Sequence, residues 1–152
     1  MVEQEKATPM TETQRPLPNP TTLTAGFWEA TARGELAIQR CLGCRRYRHY
    51  PQAMCPHCHS MESEWSKVSG RGVIHSYTVA HQAFHPYWSD KVPYVVATVE
   101  LEEGVRLVDD MIDLDPSAVR IGLPVEVYFD PVSDEITLPK FRVLETTDDG
   151  EG

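Results

Sequence analysis

CLGCRRYRHYPQAMCPHCHS, residues 41–60, contains all four cysteines of a 152-residue chain. Cys41 and Cys44 form one C-x-x-C pair, Cys55 and Cys58 a second, with ten residues between the pairs. Two such pairs at the tips of a short hairpin bring four thiolates to one point, the all-sulfur tetrahedron of a structural Zn²⁺. Two disulfides, two redox pairs or an iron centre of the same geometry would use the same residues. Disulfides suit an exported chain, and the start of this one lacks the basic and apolar regions of a signal peptide. A redox C-x-x-C belongs in a βαβ setting that the flanking sequence does not offer. His57 and His59 are alternative ligands that four cysteines make unnecessary. The expectation is one structural zinc per chain on Cys41, Cys44, Cys55 and Cys58. Four sulfurs leave no coordination position for water or substrate.

Working outward, MVEQEKATPMTETQRPLPNP (residues 1–20) is polar and proline-rich and is expected to be a disordered tail. Residues 21–34 follow a helical period: Leu23, Phe27 and Ala30 fall on one face, Thr22 or Thr24 can cap the start, and Gly34 suits the left-handed position after the last turn. Phe27 and Trp28 give this short helix more aromatic surface than it can bury alone, so it is expected to dock on this chain or a partner. ELAIQRC then leads as a strand into a ribbon over residues 35–70.

Residues 71–144 change rhythm. GVIHSYTVAHQ, PYVVATVEL, GVRLVDDMI, LPVEVYF and EITLPKFRVL are β-branched and aromatic runs separated by turn residues. Five short strands without long helices predict a closed or nearly closed barrel, since an open antiparallel sheet would leave two edges. Five is the strand number of the OB-fold; an SH3-like barrel or a small sandwich competes. DLDPSAVRIG leaves room for one helical turn, and residues 145–152 are an acidic, mobile tail.

Charge divides the chain: net −2 over residues 1–32, +4 over 33–72 and −11 over 73–152. The acidic half would repel a polyphosphate, so nucleic acid is disfavoured as the main ligand. No apolar run reaches the ~20 residues that cross a bilayer, and the expectation is a cytoplasmic protein with no membrane partner.

GFWEATARGELAIQRCLGC, CPHC, SGRGVIHSYTVAH, VPYVVATVEL, IGLPVEVYF and LPKFR together resemble, in order and spacing, the DUF35 family, from about Leu23 to Val143. Arg45 and His59 depart from it, standing where the knuckle glycines are usual, and DDMID is more acidic than usual. The resemblance implies a mainly β fold: an N-terminal helix, a rubredoxin-like four-cysteine zinc ribbon and a C-terminal five-stranded OB-fold. It also implies a non-catalytic accessory subunit of a thiolase-superfamily enzyme, a thiolase-like or lipid-transfer-protein-like chain that makes or breaks a carbon–carbon bond in an acyl-CoA. Two of each subunit is the assembly that symmetry suggests. Family members also occur fused behind a hydratase domain; at this length a freestanding chain is expected. The competing reading is a freestanding OB-fold module that binds acyl-CoA or nucleic acid.

Catalytic machinery is not expected, because the sequence has no G-x-S-x-G elbow, phosphate-cradling loop or H-E-x-x-H. SGRG (residues 69–72) reads as a turn between ribbon and barrel. Asp109, Asp110, Asp113 and Asp115 lack the spacing of a calcium loop and read as a solvated acidic face. In the connection HQAFHPYWSDKV, Phe84, Tyr87 and Trp88 either fold back over the barrel or meet a partner. Either histidine there lacks a neighbouring carboxylate or nucleophile for catalysis. Arg45, Arg46 and Arg48 are candidates for the phosphates of coenzyme A, and Phe27, Trp28, Phe84, Tyr87 and Trp88 for partner binding.

Overall fold

The computed structural model describes residues 14–144. Most of the expected N-terminal tail (1–13) and all of the acidic tail (145–152) lie outside the described residues. A single helix, α1 (Ala25–Ala32), precedes a three-stranded ribbon of β1 (Ala37–Cys41), β2 (Tyr47–Arg48) and β3 (Ser63–Lys67), ordered β2-β1-β3. The second sheet contains β4 (Arg71–Ala80), β5 (Tyr94–Leu101), β6 (Arg106–Met111), β7 (Pro124–Pro131) and β8 (Thr137–Val143), ordered β6-β5-β4-β7-β8. One 3-10 turn (Pro116–Ala118) sits in the DLDPSAVRIG connection, and another (Pro86–Trp88) forms in the aromatic one.

Local chemistry explains the elements. In β5, Val95, Ala97, Val99 and Leu101 are buried and their neighbours less so, the period-two signature of a half-buried strand. Gly34 is left-handed (φ 78°) after α1, as expected. The helix start differs from expectation: Thr24 occupies the cap position in a helical conformation without a side-chain cap bond, and Leu23 is exposed. Gly26 is where α1 meets the ribbon, since a β-carbon there would lie 2.1 Å from Nε1 of Trp65. Phe27 from the helix, Leu36 and Ile38 from the ribbon and Ile74, Val99 and Phe141 from the barrel belong to one apolar core. The helix therefore docks on its own chain, and the ribbon is cemented to the barrel. Burial of these side chains contributes roughly 1.5–3 kcal/mol each before entropy is subtracted.

The five strands form the expected OB-fold sheet, but it stops short of full closure. β6 and β8 face each other across a seam at the two ends of the sheet order. There, side chains take the place of a strand ladder: the Phe141 N–H donates to Asp109 Oδ2 (2.8 Å), and Lys140 Nζ donates to the Asp110 carbonyl (2.7 Å). β4 also pairs with β7 only over Arg71–Val73, leaving the far half of that edge without a strand.

Candidate metal centre and barrel seam

The two C-x-x-C pairs close on each other from opposite arms of the ribbon. The four Sγ atoms lie within 4.8 Å of one another, with Cys41–Cys58 at 3.5 Å and Cys44–Cys55 at 3.7 Å. A zinc–sulfur tetrahedron with bonds of about 2.3 Å needs sulfurs about 3.8 Å apart, so the residues fit such an ion. All four cysteines are unbridged. The knuckles repeat each other: Arg45 N–H donates to the Cys41 carbonyl (3.0 Å), and His59 N–H to the Cys55 carbonyl (2.9 Å). Arg45 and His59 both have φ of 66°, the left-handed geometry that glycine would adopt at lower cost. Backbone N–H groups of Cys44 (3.4 Å) and Gly43 (3.2 Å) point at Cys41 Sγ and, led by Cys44, lower its thiol pKa to about 6. That favours the thiolate a metal requires.

Sequence reasoning missed the residue that orders the ribbon's long connection. Gln39 is buried on β1; its Nε2 donates to the Gln52 carbonyl (3.0 Å), and its Oε1 accepts from Gln52 N–H (2.8 Å) and Arg48 Nε (2.9 Å). Arg48 is thereby placed away from solvent: it is buried, and its Nη2 donates to the same Gln52 carbonyl (2.9 Å). Arg45 and Arg46 are exposed, Arg45 pairing with Glu64 (3.1 Å) and Arg46 contacting Nδ1 of His57 (2.7 Å). His49, packed against Phe27, is held neutral by burial, with its pKa lowered to about 4.

The second concentration of chemistry is the seam. Asp109 and Lys140 are buried, and Asp110 is nearly so, which corrects the reading of these two carboxylates as part of a solvated acidic face; Asp113 and Asp115 are exposed, as expected. Asp109 occupies an inward position of β6 between Leu107 and Met111; the period of two contained that signal. Lys140 Nζ pairs with both carboxylates. Burial raises Asp109 to about 6 against the pull of Lys140. Burial also opposes ionisation of Asp110, but Lys140 and Arg15 outweigh it and hold that carboxyl below its usual range. Arg15 belongs to the segment expected to be disordered; its Nη2 lies 2.7 and 2.6 Å from the two Asp110 oxygens.

Of the aromatic connection, Tyr87 and Trp88 fold back over this seam. Trp88 Nε1 donates to Asp110 Oδ2 (3.3 Å), its ring stacks on Tyr94, and Lys91 Nζ lies 3.9 Å from the Tyr87 ring centroid. Phe84 alone points outward, 89% exposed. Nδ1 of His85 accepts from Tyr87 N–H and so caps the short turn. The SGRG turn is tied down by Glu103, which accepts from the Ser69 N–H (2.8 Å) and hydroxyl (3.2 Å), consistent with a connection between ribbon and barrel. Two clefts flank the seam. One of about 620 Å³ is bordered by Tyr128, Asp113 and Arg142, the other of about 290 Å³ by Trp28, His49 and Tyr50. No helix among the described residues is long and apolar enough to cross a membrane.

Comparison with known proteins places these features. Residues 28–62 match the family model described as the ChsH2 rubredoxin-like zinc ribbon domain, and residues 65–130 the ChsH2 C-terminal OB-fold domain. A probable enoyl-CoA hydratase alpha subunit of Thermomonospora curvata is 44% identical over 117 residues, 76% of this chain and 36% of that protein. The chain thus spans about a third of the length of that relative. A DUF35 domain-containing scaffold protein of Methanothermobacter thermautotrophicus is 39% identical over 68% of this chain and 77% of its own length. Among solved structures, a chain of the Ltp2-ChsH2(DUF35) aldolase superposes with a TM-score of 0.74 and 40% identity, covering 84% of this chain and 98% of that one.

Proposed function

This chain belongs to the DUF35 family, with the zinc ribbon and OB-fold of ChsH2, and from that premise we propose that it is a non-catalytic accessory subunit of a thiolase-superfamily enzyme acting on acyl-CoA. One observation carries the reading: its likeness, over 98% of the length of that chain, to a component of an aldolase complex. The site chemistry supports it. Bound zinc, one per chain, would supply a fixed cross-link with every coordination position filled by sulfur, so its contribution is to hold shape. The seam carboxylates are paired with cations rather than presented to a substrate.

In this reading the ribbon and barrel present surfaces to the enzyme, with exposed Phe84 on one loop and exposed Arg45 and Arg46 near the zinc knuckle. Those two arginines are suited to the phosphates of a coenzyme A lying at the interface; Arg48, buried under Gln39 and Gln52, is not. Tyr87 and Trp88 contribute to partner binding through the seam they cover.

Co-expression with the product of the adjacent gene, which the proposal expects to be thiolase-like, tests it. A stable complex, two of each chain, with carbon–carbon bond activity absent from either component alone is the expected result. Failure to co-purify, together with saturable acyl-CoA or single-stranded nucleic-acid binding by the isolated chain, would replace it with a freestanding binding module.

A further inference from the structure

Three of the four charges at the seam come from paired strands, whereas the fourth comes from a segment with no structure of its own. Residues 14–20 form no helix or strand, and no backbone hydrogen bond ties them to the barrel. Arg15 bonds them to the barrel through its side chain.

The surroundings of its guanidinium are built. Both carboxylate oxygens of Asp110 accept from it, and the ring centroids of Tyr87 and Trp88 lie 5.5 and 5.6 Å from its central carbon, within cation–π range. Trp88 Nε1 donates to the same carboxylate and so locks ring and anion together. Lys140 is buried and already committed to Asp109 and to the Asp110 carbonyl as well as to its carboxylate. With the guanidinium removed, Asp109 and Asp110 would face the single ammonium of Lys140, leaving one net negative charge there; the ammonium of Lys91, on the Tyr87 ring, is already paired with Asp90. Arg15 also borders both clefts, so its departure would join them into a groove along the seam with room for an incoming chain.

We propose that Asp110, Tyr87 and Trp88 form a receptor for an arginine side chain, filled in cis by Arg15 as a displaceable latch and in trans by an arginine on the surface of a docked protein. One amino group of the guanidinium bridges both Asp110 oxygens while its delocalised plane lies within reach of two rings, and it is this pair of aromatic contacts that favours arginine over the more strongly hydrated ammonium of lysine. A tether of this kind competes at an effective concentration on the order of millimolar, comparable to the affinity expected of one such contact, so the latch opens readily and a large interface displaces it. The receptor does not depend on which enzyme the partner is, and the test below uses no partner.

The full chain, as wild type and as Arg15→Ala, is titrated with N-acetyl-arginine amide, N-acetyl-lysine amide and free arginine, following the Trp88 indole N–H resonance. Arg15→Ala should bind the arginine amide saturably with a Kd on the order of millimolar, about twofold or more tighter than wild type and several-fold tighter than it binds the lysine amide. Arg15→Ala combined with Asp110→Asn should lose the response; if that protein does not fold, Arg15→Ala with Tyr87→Leu should weaken it. Absence of binding to Arg15→Ala, equal binding by wild type, or equal response to lysine would overturn the receptor. Tighter binding of free arginine than of the capped amide would overturn its assignment to a protein side chain.

Discussion

The Phe141 N–H meets Oδ2 of Asp109 at 2.8 Å across a seam where their two strands do not pair. A side chain has taken the role of a main-chain acceptor, and its second oxygen receives the Lys140 ammonium at 2.5 Å. Removing the carboxylate therefore orphans a buried amide and strips a buried cation of one partner. Asp109→Ala should lower unfolding free energy by about 3–5 kcal/mol, measured by urea denaturation. A loss under 1 kcal/mol would mean that the seam contributes little to holding the barrel.

The cysteine cluster predicts one zinc per chain by elemental analysis. Cys41→Ser and Cys55→Ser, which alter buried ligands, should lose the metal and unfold the ribbon. Because Leu36 and Ile38 share the barrel's core, melting of the barrel should shift as well. Retention of metal by both variants would exclude the four-sulfur shell.

His49 gives a pH dependence of known sign. Its pKa falls from 6.5 to about 4 on folding because burial disfavours the imidazolium. The unfolded chain then binds more protons between these values, so the stabilisation is complete above 6.5 and is lost as pH falls toward 4, up to about 3 kcal/mol. Asp109 slopes the opposite way: its raised pKa favours the neutral acid, a contribution lost as pH rises through about 6. The difference between wild type and His49→Leu isolates the histidine. Parallel denaturation midpoints from pH 4 to 7 would show that His49 does not titrate as its burial requires.

Phe84 and Trp88, four residues apart, should behave differently. Phe84→Ala removes a side chain that is 89% exposed and should leave stability within about 0.5 kcal/mol while weakening the complex with the partner enzyme about tenfold or more. Trp88→Ala removes a ring that stacks on Tyr94 and bonds Asp110, and should reduce stability as well. Calorimetric titration against the partner separates the two; unchanged affinity for Phe84→Ala would remove this loop from the interface.

Alanine at both Arg45 and Arg46 should raise the acyl-CoA KM of the complex about tenfold with little change in kcat, since only uniform binding is lost. Unchanged kinetics would relegate both to the surface charge of the knuckle. Arg48→Ala should act on stability instead, because it unties Gln39 and Gln52.

What could be read from the sequence was local. The C-x-x-C spacing carries its own geometry because each knuckle closes within a few residues, and the period of two in YVVATVEL records which face is buried wherever the strand lies. Even Asp109 was legible as inward-facing, though not as paired. Relations across long separations were not legible. Asp109 finds Phe141 and Lys140 some thirty residues away, and Arg15 finds Asp110 across 95. Whether a carboxylate is solvated or buried depends on what the opposing strand presents, and only the approach of β8 to β6 fixes that. Spacing along the chain thus determined the metal shell and the strands. The burial of Asp109 and Asp110, the open seam and the latch across it were decided in three dimensions, where desolvation forces each buried charge to find a partner.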